Sequence, residues 1–244
     1  MCSFHRRPAI FAGLASALLT GSVLGQSFDV SMPTTADRWM YPFNATPGYR
    51  PAGSVFGYNA YPDETSFDNR DGQVIVAFDT SEIVPTGLGA DSYDVTSCVF
   101  GITLAGDASG PIDPTVDDWR TYLPAEAKGS LPDVDPGRPI ELFAAGFRNG
   151  YDRLSWSEGD SFSDTDLFGQ NTRNVFSAEI ASDGSLFDVS SNFTQDFTAN
   201  PIGIASFPGY EPGETPVEGE IATFELDTSD PLIQNWLAES LNEG

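Results

Sequence analysis

Aromatic side chains gather in the loop-like parts of the sequence, next to polar and charged residues. A flat aromatic ring with a polar edge can stack on a sugar ring while neighbouring Asp, Asn and Arg side chains hydrogen-bond the sugar hydroxyls. The alternative is that each Trp packs in the core, because aromatic rings supply much of the packing area of β proteins. The pattern predicts a sugar-binding site with the candidate residues Trp39, Tyr41, Trp119, Arg120, Tyr122, Tyr151, Arg153 and Trp156.

The segment EGDSFSDTD brings four carboxylates into one short stretch: Glu158, Asp160, Asp164 and Asp166. Ca²⁺ takes about six to eight oxygen ligands, and a loop of this length is short enough to wrap an ion. The same serine and aspartate pattern is typical of a solvated loop in an acidic protein, so both interpretations stay open. No stretch of the sequence has the acid spacing of an EF-hand.

The first 25 residues have the three parts of a secretory signal peptide. A basic start precedes an apolar stretch over 10–24, and Val23 and Gly25 occupy the positions expected before a cleavage site. A retained membrane anchor is the weaker alternative, because Gly, Ser and Thr interrupt a run shorter than the roughly 20 apolar residues that cross a bilayer. The sequence predicts removal of residues 1–25. The remaining chain, 26–244, would then be secreted to the extracellular space or cell envelope without a membrane span.

His5 is the one histidine of the chain, and Cys2 and Cys98 are its two cysteines. Signal removal would take away His5 and Cys2. Histidine is the usual general base near neutral pH and a common metal ligand, so this inventory disfavours Ser-His-Asp hydrolases, Cys-His proteases and most zinc sites. Cys98 lies in the strand-like run YDVTSCVFGITLA without a disulfide partner. It is therefore predicted to be a buried thiol, with a reactive thiol as the alternative.

The formal net charge of −25 becomes more negative once the basic start is removed. Such a charge repels phosphate backbones and anionic lipids, so nucleic-acid and membrane-surface partners are disfavoured. It favours solubility and cation binding. A solvated acidic surface without a specific cation site is the simpler explanation for most of these carboxylates.

Short runs rich in β-branched and aromatic residues, bounded by Gly, Pro, Asp or Asn, predict a series of strands. The runs are QVIVAFDT, DVTSCVFGITLA, PIELFAAGF, NVFSAEIAS, IGIASF and GEIATFELDT. Long amphipathic helices do not separate them. The sequence therefore predicts an all-β protein, an antiparallel sandwich of the jelly-roll kind, formed by residues 26–244 as one domain.

The C-terminal part of this domain predicts an amphipathic helix at about 231–241, because its apolar residues recur at helical spacing and an N-cap is available within 227–230. A short second helix is predicted after Asp113, where Pro114 suits the first turn. Long loops are expected over 42–69, 105–139 and 151–172. Loops on a rigid sheet scaffold are where binding residues usually lie.

The N-terminal half carries a connected order of motifs, ADRWMYPFNATPGYRPAGSVFG followed by FDNRDGQVIVAFDTSEIVPTGLGADSYDVTSCVFGITL. This order resembles the DNRLRE-type domains of secreted bacterial proteins, jelly-roll modules related to carbohydrate-binding modules and familiar from planctomycete exported proteins. The resemblance covers 36–105 and thins afterwards. Long insertions and the end at Gly244 depart from the usual form.

The resemblance implies that Asp37, Arg70, Asp71 and Asp79 lie near one cluster of loops. Arg70 is then a candidate ligand-binding residue, and the three Asp residues are candidate ligands of a structural cation such as Ca²⁺. The alternative is that these Asp side chains cap turns through neighbouring backbone amides.

Three functions follow from these patterns. The favoured one is a secreted, non-catalytic module that binds polysaccharide or another glycan, with structural Ca²⁺ as a candidate cofactor. The second is a structural or adhesive protein of the cell envelope, with buried aromatics and a paired strand edge. The third is a glycan hydrolase or lyase that uses paired carboxylates, or Tyr and Arg, facing each other across a deep cleft.

Overall fold

The structure is a computed structural model that describes residues 10–47, 49–57, 71–167 and 169–244, with side chains from residue 15 onwards. Its described strands are β1 (Ile10–Val23), β2 (Gln26–Pro33), β3 (Ala36–Met40), β4 (Gly53–Val55), β5 (Gln73–Ala77), β6 (Tyr93–Leu104), β7 (Glu141–Leu142), β8 (Ala144–Phe147), β9 (Val175–Ile180), β10 (Leu186–Asp188), β11 (Gly203–Ile204) and β12 (Ile221–Glu225). The α-helix is α1 (Pro231–Glu243), and short 3-10 helices cover Ala90–Ser92 and Trp119–Tyr122.

The named strands pair antiparallel in four sheets. The main sheet has the order β12-β6-β1-β2, and β4 also pairs with β1. The smaller sheets have the orders β10-β9-β8, β11-β7 and β3-β5. Strands in antiparallel sheets followed by a C-terminal helix confirm the predicted all-β, sandwich-like fold.

Strand β6 forms the middle of the main sheet, between β12 and β1. Its side chains alternate at first, so that Tyr93 and Val95 are buried while Asp94 and Thr96 are exposed, and a register shift against β1 after Val95 then makes Cys98 the next buried residue. Cys98 lies opposite Leu19 of β1 and is 1% exposed. The prediction of a buried thiol is confirmed, and burial raises the pKa of Cys98 to about 12.

Helix α1 begins as the sequence predicts. The Asp230 side chain accepts a hydrogen bond from the Leu232 amide at 2.8 Å, and Pro231 occupies the first turn, where its missing N–H costs nothing. The buried stripe of Ile233, Leu237, Ala238 and Leu241 packs in the same apolar cluster as β6. The helix therefore closes one side of the core.

The second predicted helix is wrong in its extent. After Asp113 the chain forms bends and turns, and only Trp119–Tyr122 is helical, as a single 3-10 turn. The carboxylates of this stretch bond to nearby backbone: Asp113 Oδ1 accepts from the Thr115 amide at 2.8 Å, and Asp118 Oδ1 accepts from the Arg120 amide at 2.9 Å. Such local bonds compete with the helical ladder and favour turns and caps.

Part of the predicted signal peptide forms strand β1 in this structure of the uncleaved chain. Strand β1 lies between β2 and β6, and its residues Leu19 and Val23 are buried in the main core. The two-residue turn to β2 has positive φ at both Leu24 and Gly25, the backbone of a tight hairpin. Removal of 1–25 stays a prediction, and it would take a whole strand out of the main sheet.

Candidate functional site

A cavity of about 520 Å³ lies between the main sheet and the strands β5, β7 and β8, next to helix α1. Phe100, Ile102 and Phe224 of the main sheet line it, together with Val74 and Val76 of β5. This volume corresponds to on the order of 15 to 20 water molecules, and it is the size of a small-molecule site. The cavity is therefore large enough for an organic ligand.

Four buried polar atoms belong to cavity-lining residues and have no hydrogen-bond partner among the described residues. They are Gln73 Oε1, Thr80 Oγ1, Trp156 Nε1 and Ser190 Oγ. Buried polar atoms in folded proteins are nearly always hydrogen-bonded, and each unpaired one costs about 1–3 kcal/mol. A bound molecule or ordered water that contacts these atoms would remove this cost. The residues around the cavity thus combine many apolar side chains with four that carry an unpaired buried group: one N–H donor, one amide oxygen and two hydroxyls.

Arg138 and Tyr122 form a charged corner of the cavity. The Arg138 guanidinium lies 4.3 Å from the centre of the Tyr122 ring, and its NH1 atom lies 2.6 Å from Asp117 Oδ2 and 2.8 Å from Asp133 Oδ2. Arg153 also lines the cavity, and its Nε lies 2.9 Å from Glu243 Oε2 at the end of α1. Both guanidinium groups are therefore held in place by carboxylates.

The structure brings three of the predicted ligand-binding residues together at the cavity: Tyr122, Arg153 and Trp156. Trp156 also packs against the buried cluster of Met40, Phe162 and Val175. Both interpretations of this tryptophan, core packing and ligand contact, therefore have support in its position.

The other aromatic candidates do not line the cavity. Trp39 stacks on Tyr41 with ring centres 4.8 Å apart, and Arg50 covers the Trp39 ring at 4.6 Å. Trp119 and Tyr151 are half-buried in the loops that flank the sheets.

Two arginine candidates remain, Arg120 and Arg70, and the structure describes the surroundings of Arg120. Arg120 pairs with Asp118 at 2.6 Å and lowers the pKa of that carboxyl to about 2 through the hydrogen bonds it donates. Arg70 lies outside the described residues.

Three of the seven predicted cation ligands act as local hydrogen-bond acceptors. The Ser81 amide and hydroxyl bond to Asp79, the Ser157 amide bonds to Asp160, and the Ser161 hydroxyl bonds to Asp164. These bonds match the turn-capping alternative. The same contacts lower the pKa of Asp79 and of Asp164, in the latter case together with Asn174.

The other candidate acids are spread over different surroundings. Glu158 Oε1 accepts from the Asp37 amide at 2.5 Å, which brings two of the predicted ligands into contact. Asp71 is buried at the cavity, where its carbonyl accepts from Arg173 at 3.0 Å. The Asp166 carbonyl accepts from the Gly169 amide.

A carboxylate cluster that sequence reasoning missed lies in the loop over 105–139. Asp113, Asp117 and Asp135 each place an oxygen so that all three atoms lie within 4.8 Å of one another, and among the described residues this is the group that could hold a metal ion. Partial burial is the largest cause that raises the pKa of the neighbouring Asp133, and Asp117 and Asp135 add to it against the opposing charge of Arg138. The signal in the sequence was the density of Asp at the two ends of this loop.

Comparison with protein-family models, with curated proteins and with solved structures finds no match to the chain. The resemblance to DNRLRE-type domains therefore stays a prediction. Within the described residues, the helices are all too short or too polar to cross a bilayer.

Proposed function

We propose that the protein is a secreted, non-catalytic module that holds a saccharide unit of a glycan in the cavity between its sheets. The observation that carries this proposal is a set of four buried polar atoms that have no partner in the part of the chain that the structure describes, in residues that line a largely apolar cavity. A saccharide offers several hydroxyls, each of which donates and accepts, together with apolar C–H faces that pack on aromatic rings.

The lining favours such a ligand over a purely apolar one. A hydrocarbon would fill the volume but leave Gln73, Thr80, Trp156 and Ser190 unpaired, at about 1–3 kcal/mol for each atom. A strongly charged ligand is also disfavoured, because Arg138 and Arg153 are already paired with carboxylates. A neutral molecule with several hydroxyls satisfies both conditions.

A structural Ca²⁺ ion is part of the proposed function. The three-carboxylate cluster over 105–139 shares Arg138 with the cavity, since this arginine bonds to Asp117 and also lines the cavity wall. Ca²⁺ prefers carboxylate and carbonyl oxygens in loops of this kind. The ion would stabilise the loop that supplies Tyr122 and Arg138 to the ligand.

The test is binding of the purified chain to a panel of soluble oligosaccharides and insoluble polysaccharides, with released sugar measured in parallel. Trp156→Phe keeps an aromatic ring but removes the N–H, so we expect about 10-fold weaker binding, the equivalent of ~1.4 kcal/mol. Trp119→Phe is the matched control, because Trp119 does not line the cavity, and its affinity should be unchanged.

Three results would overturn the proposal. Failure of the wild-type chain to bind any glycan in the panel would show that the cavity does not hold a saccharide. Equal losses in Trp156→Phe and Trp119→Phe would show that binding, if present, occurs elsewhere. Release of sugar would show a catalytic function in place of a binding one.

A further inference from the structure

The carboxylate cluster of Asp113, Asp117 and Asp135 is built by two chain segments that the fold holds side by side. Ile112 and Arg138 form an isolated parallel bridge, in which the Arg138 amide donates to the Pro111 carbonyl at 3.1 Å. Gly137 allows this approach, because it has φ 105° and a Cβ there would lie 2.5 Å from the Ile112 oxygen. The backbone therefore places Asp113 and Asp135 next to each other although 22 positions separate them.

One oxygen of this cluster is buried without a partner. Asp113 is 2% exposed, its Oδ1 atom accepts from the Thr115 amide at 2.8 Å and from the Thr115 hydroxyl at 2.7 Å, and its Oδ2 atom has no hydrogen bond among the described residues. Burying a carboxylate oxygen without a donor or a cation is costly. A ligand that carries positive charge into the cluster would remove this cost.

The charge at the cluster is also unbalanced. Asp117 is 7% exposed, and Arg138 is the cation that contacts it. The same guanidinium also forms an ion pair with Asp133. One positive charge is therefore set against four carboxylates, those of Asp113, Asp117, Asp133 and Asp135. A divalent cation would bring this group close to neutrality.

We propose that Asp113, Asp117 and Asp135 form a Ca²⁺ site. Ca²⁺ lies about 2.3–2.6 Å from its oxygen ligands, so ligands on opposite sides of the ion are up to about 5 Å apart, while Mg²⁺ requires about 4 Å and strict octahedral geometry. All three carboxylate oxygens lie within 4.8 Å of one another, close enough to contact one such ion. Waters and nearby carbonyls complete the coordination, as is usual for Ca²⁺.

The site is connected to the cavity through Arg138, a consequence that rests on the proposed function. Asp117 bonds to Arg138, and Arg138 stacks on Tyr122, which lines the cavity. A cation that binds Asp117 would weaken the ion pair between this carboxylate and the Arg138 guanidinium. Ca²⁺ is therefore expected to alter saccharide affinity as well as loop stability.

The test is calorimetric titration of the full chain, freed of metal with a chelator, with CaCl₂ and separately with MgCl₂, in the absence of saccharide. We expect one Ca²⁺ per chain and at least 10-fold weaker binding of Mg²⁺. Asp113→Asn keeps the oxygen that accepts from Thr115 but removes the negative charge, so Ca²⁺ affinity should fall at least 10-fold. Asp135→Asn, at an exposed position, should show a similar loss without disturbing the fold.

The matched control is Asp183→Asn, because Asp183 is exposed and accepts the same pair of amide and hydroxyl bonds, from Ser185. Its Ca²⁺ affinity should equal that of the wild type. The proposal is overturned if the wild-type chain shows no saturable Ca²⁺ binding, or if Asp113→Asn and Asp135→Asn bind as tightly as the control while their thermal unfolding is normal. Failure of saccharide binding alone overturns the saccharide-binding part of the proposed function and leaves the Ca²⁺ site standing.

Discussion

The thiol of Cys98 offers a quantitative test of the main sheet, through its reaction with an alkylating reagent such as iodoacetamide at pH 8. Only the thiolate form is a good nucleophile. Burial raises the pKa of Cys98 to about 12, since desolvation penalises the charged form. We therefore expect the native protein to react very slowly, although the reagent reacts readily with exposed cysteine.

The size of the effect follows from the pKa. At pH 8 an ordinary thiol with a pKa near 8.5 is about one-quarter thiolate, whereas a pKa of about 12 leaves roughly one thiolate in 10⁴. The reaction should therefore be about 2,000-fold slower than in the unfolded chain on thiolate fraction alone. The 1% exposure of Cys98 slows it further, because the reagent must wait for an opening of the sheet.

The assay is intact mass spectrometry of the full chain over time, with and without guanidinium chloride. A Cys2→Ser background makes Cys98 the one thiol. Native labelling within 10-fold of the unfolded rate, in a protein that still unfolds cooperatively, would refute the placement of Cys98 between β1 and β12. Labelling at the slow rate with unfolding-like temperature dependence would support it.

Three further predictions address the loops, the core and the helix. The hydrogen bonds from Arg120 lower the pKa of Asp118 to about 2, so this carboxylate contributes stability that is present above about pH 4 and is lost as the pH falls towards 2. In Arg120→Gln, the pKa of Asp118 measured by NMR should return towards about 3.9. Phe224→Ala should lower the free energy of unfolding in urea by about 3–5 kcal/mol, while Ile221→Ala, at an exposed position of the same strand, should cost about 0.5 kcal/mol or less. Asp230→Ala should cost about 1 kcal/mol in the same assay through loss of the helix cap, and equal stability would contradict the capping bond.

The parts of the fold that sequence could predict are those with a strong local signal. Strand β6 and helix α1 each carry a clear period, two residues for the strand and three to four for the helix. Strands β4 and β10 have three residues each, too few for a period. Strand β1 was read as an export segment, because a run of small apolar residues fits both a signal peptide and a buried strand.

The sequence could predict only those residues of the candidate site whose type stands out in their segment. Tyr122 and Trp156 were found because they are aromatic residues in loop-like segments, next to polar and charged residues. Gln73, Thr80 and Ser190 were missed, since single polar residues have no characteristic spacing, and only the packing of separate chain segments shows that these residues line a cavity. The Asp cluster was missed for a similar reason, because its members meet through the bridge between residues 112 and 138.

The predicted removal of residues 1–25 would change this fold by taking strand β1 out of the main sheet. Strand β1 is the one strand partner of β2 within the main sheet, and it contributes Leu19 to the core opposite Cys98. The predicted cleavage site after Gly25 lies in the exposed turn to β2, where a peptidase has access. A chain that begins at Gln26 must therefore cover the face of β6 in another way.

Strand β2 is suited to take the place of β1. Its apolar residues Phe28, Val30 and Met32 alternate, and Val30 lies beside Leu19 in the register of the hairpin, on the same face of the sheet. A shift by one strand spacing, about 4.8 Å, would bring β2 against β6, where it would run parallel. We expect a chain of residues 26–244 to fold, with lower stability, and to keep Cys98 at least 100-fold slower in alkylation than the unfolded chain, equivalent to ~2.7 kcal/mol of protection. The opposite result is rapid labelling of Cys98 in this shorter chain together with slow labelling in the full chain. It would show that the fold requires β1 and that residues 1–25 are not removed as a signal peptide.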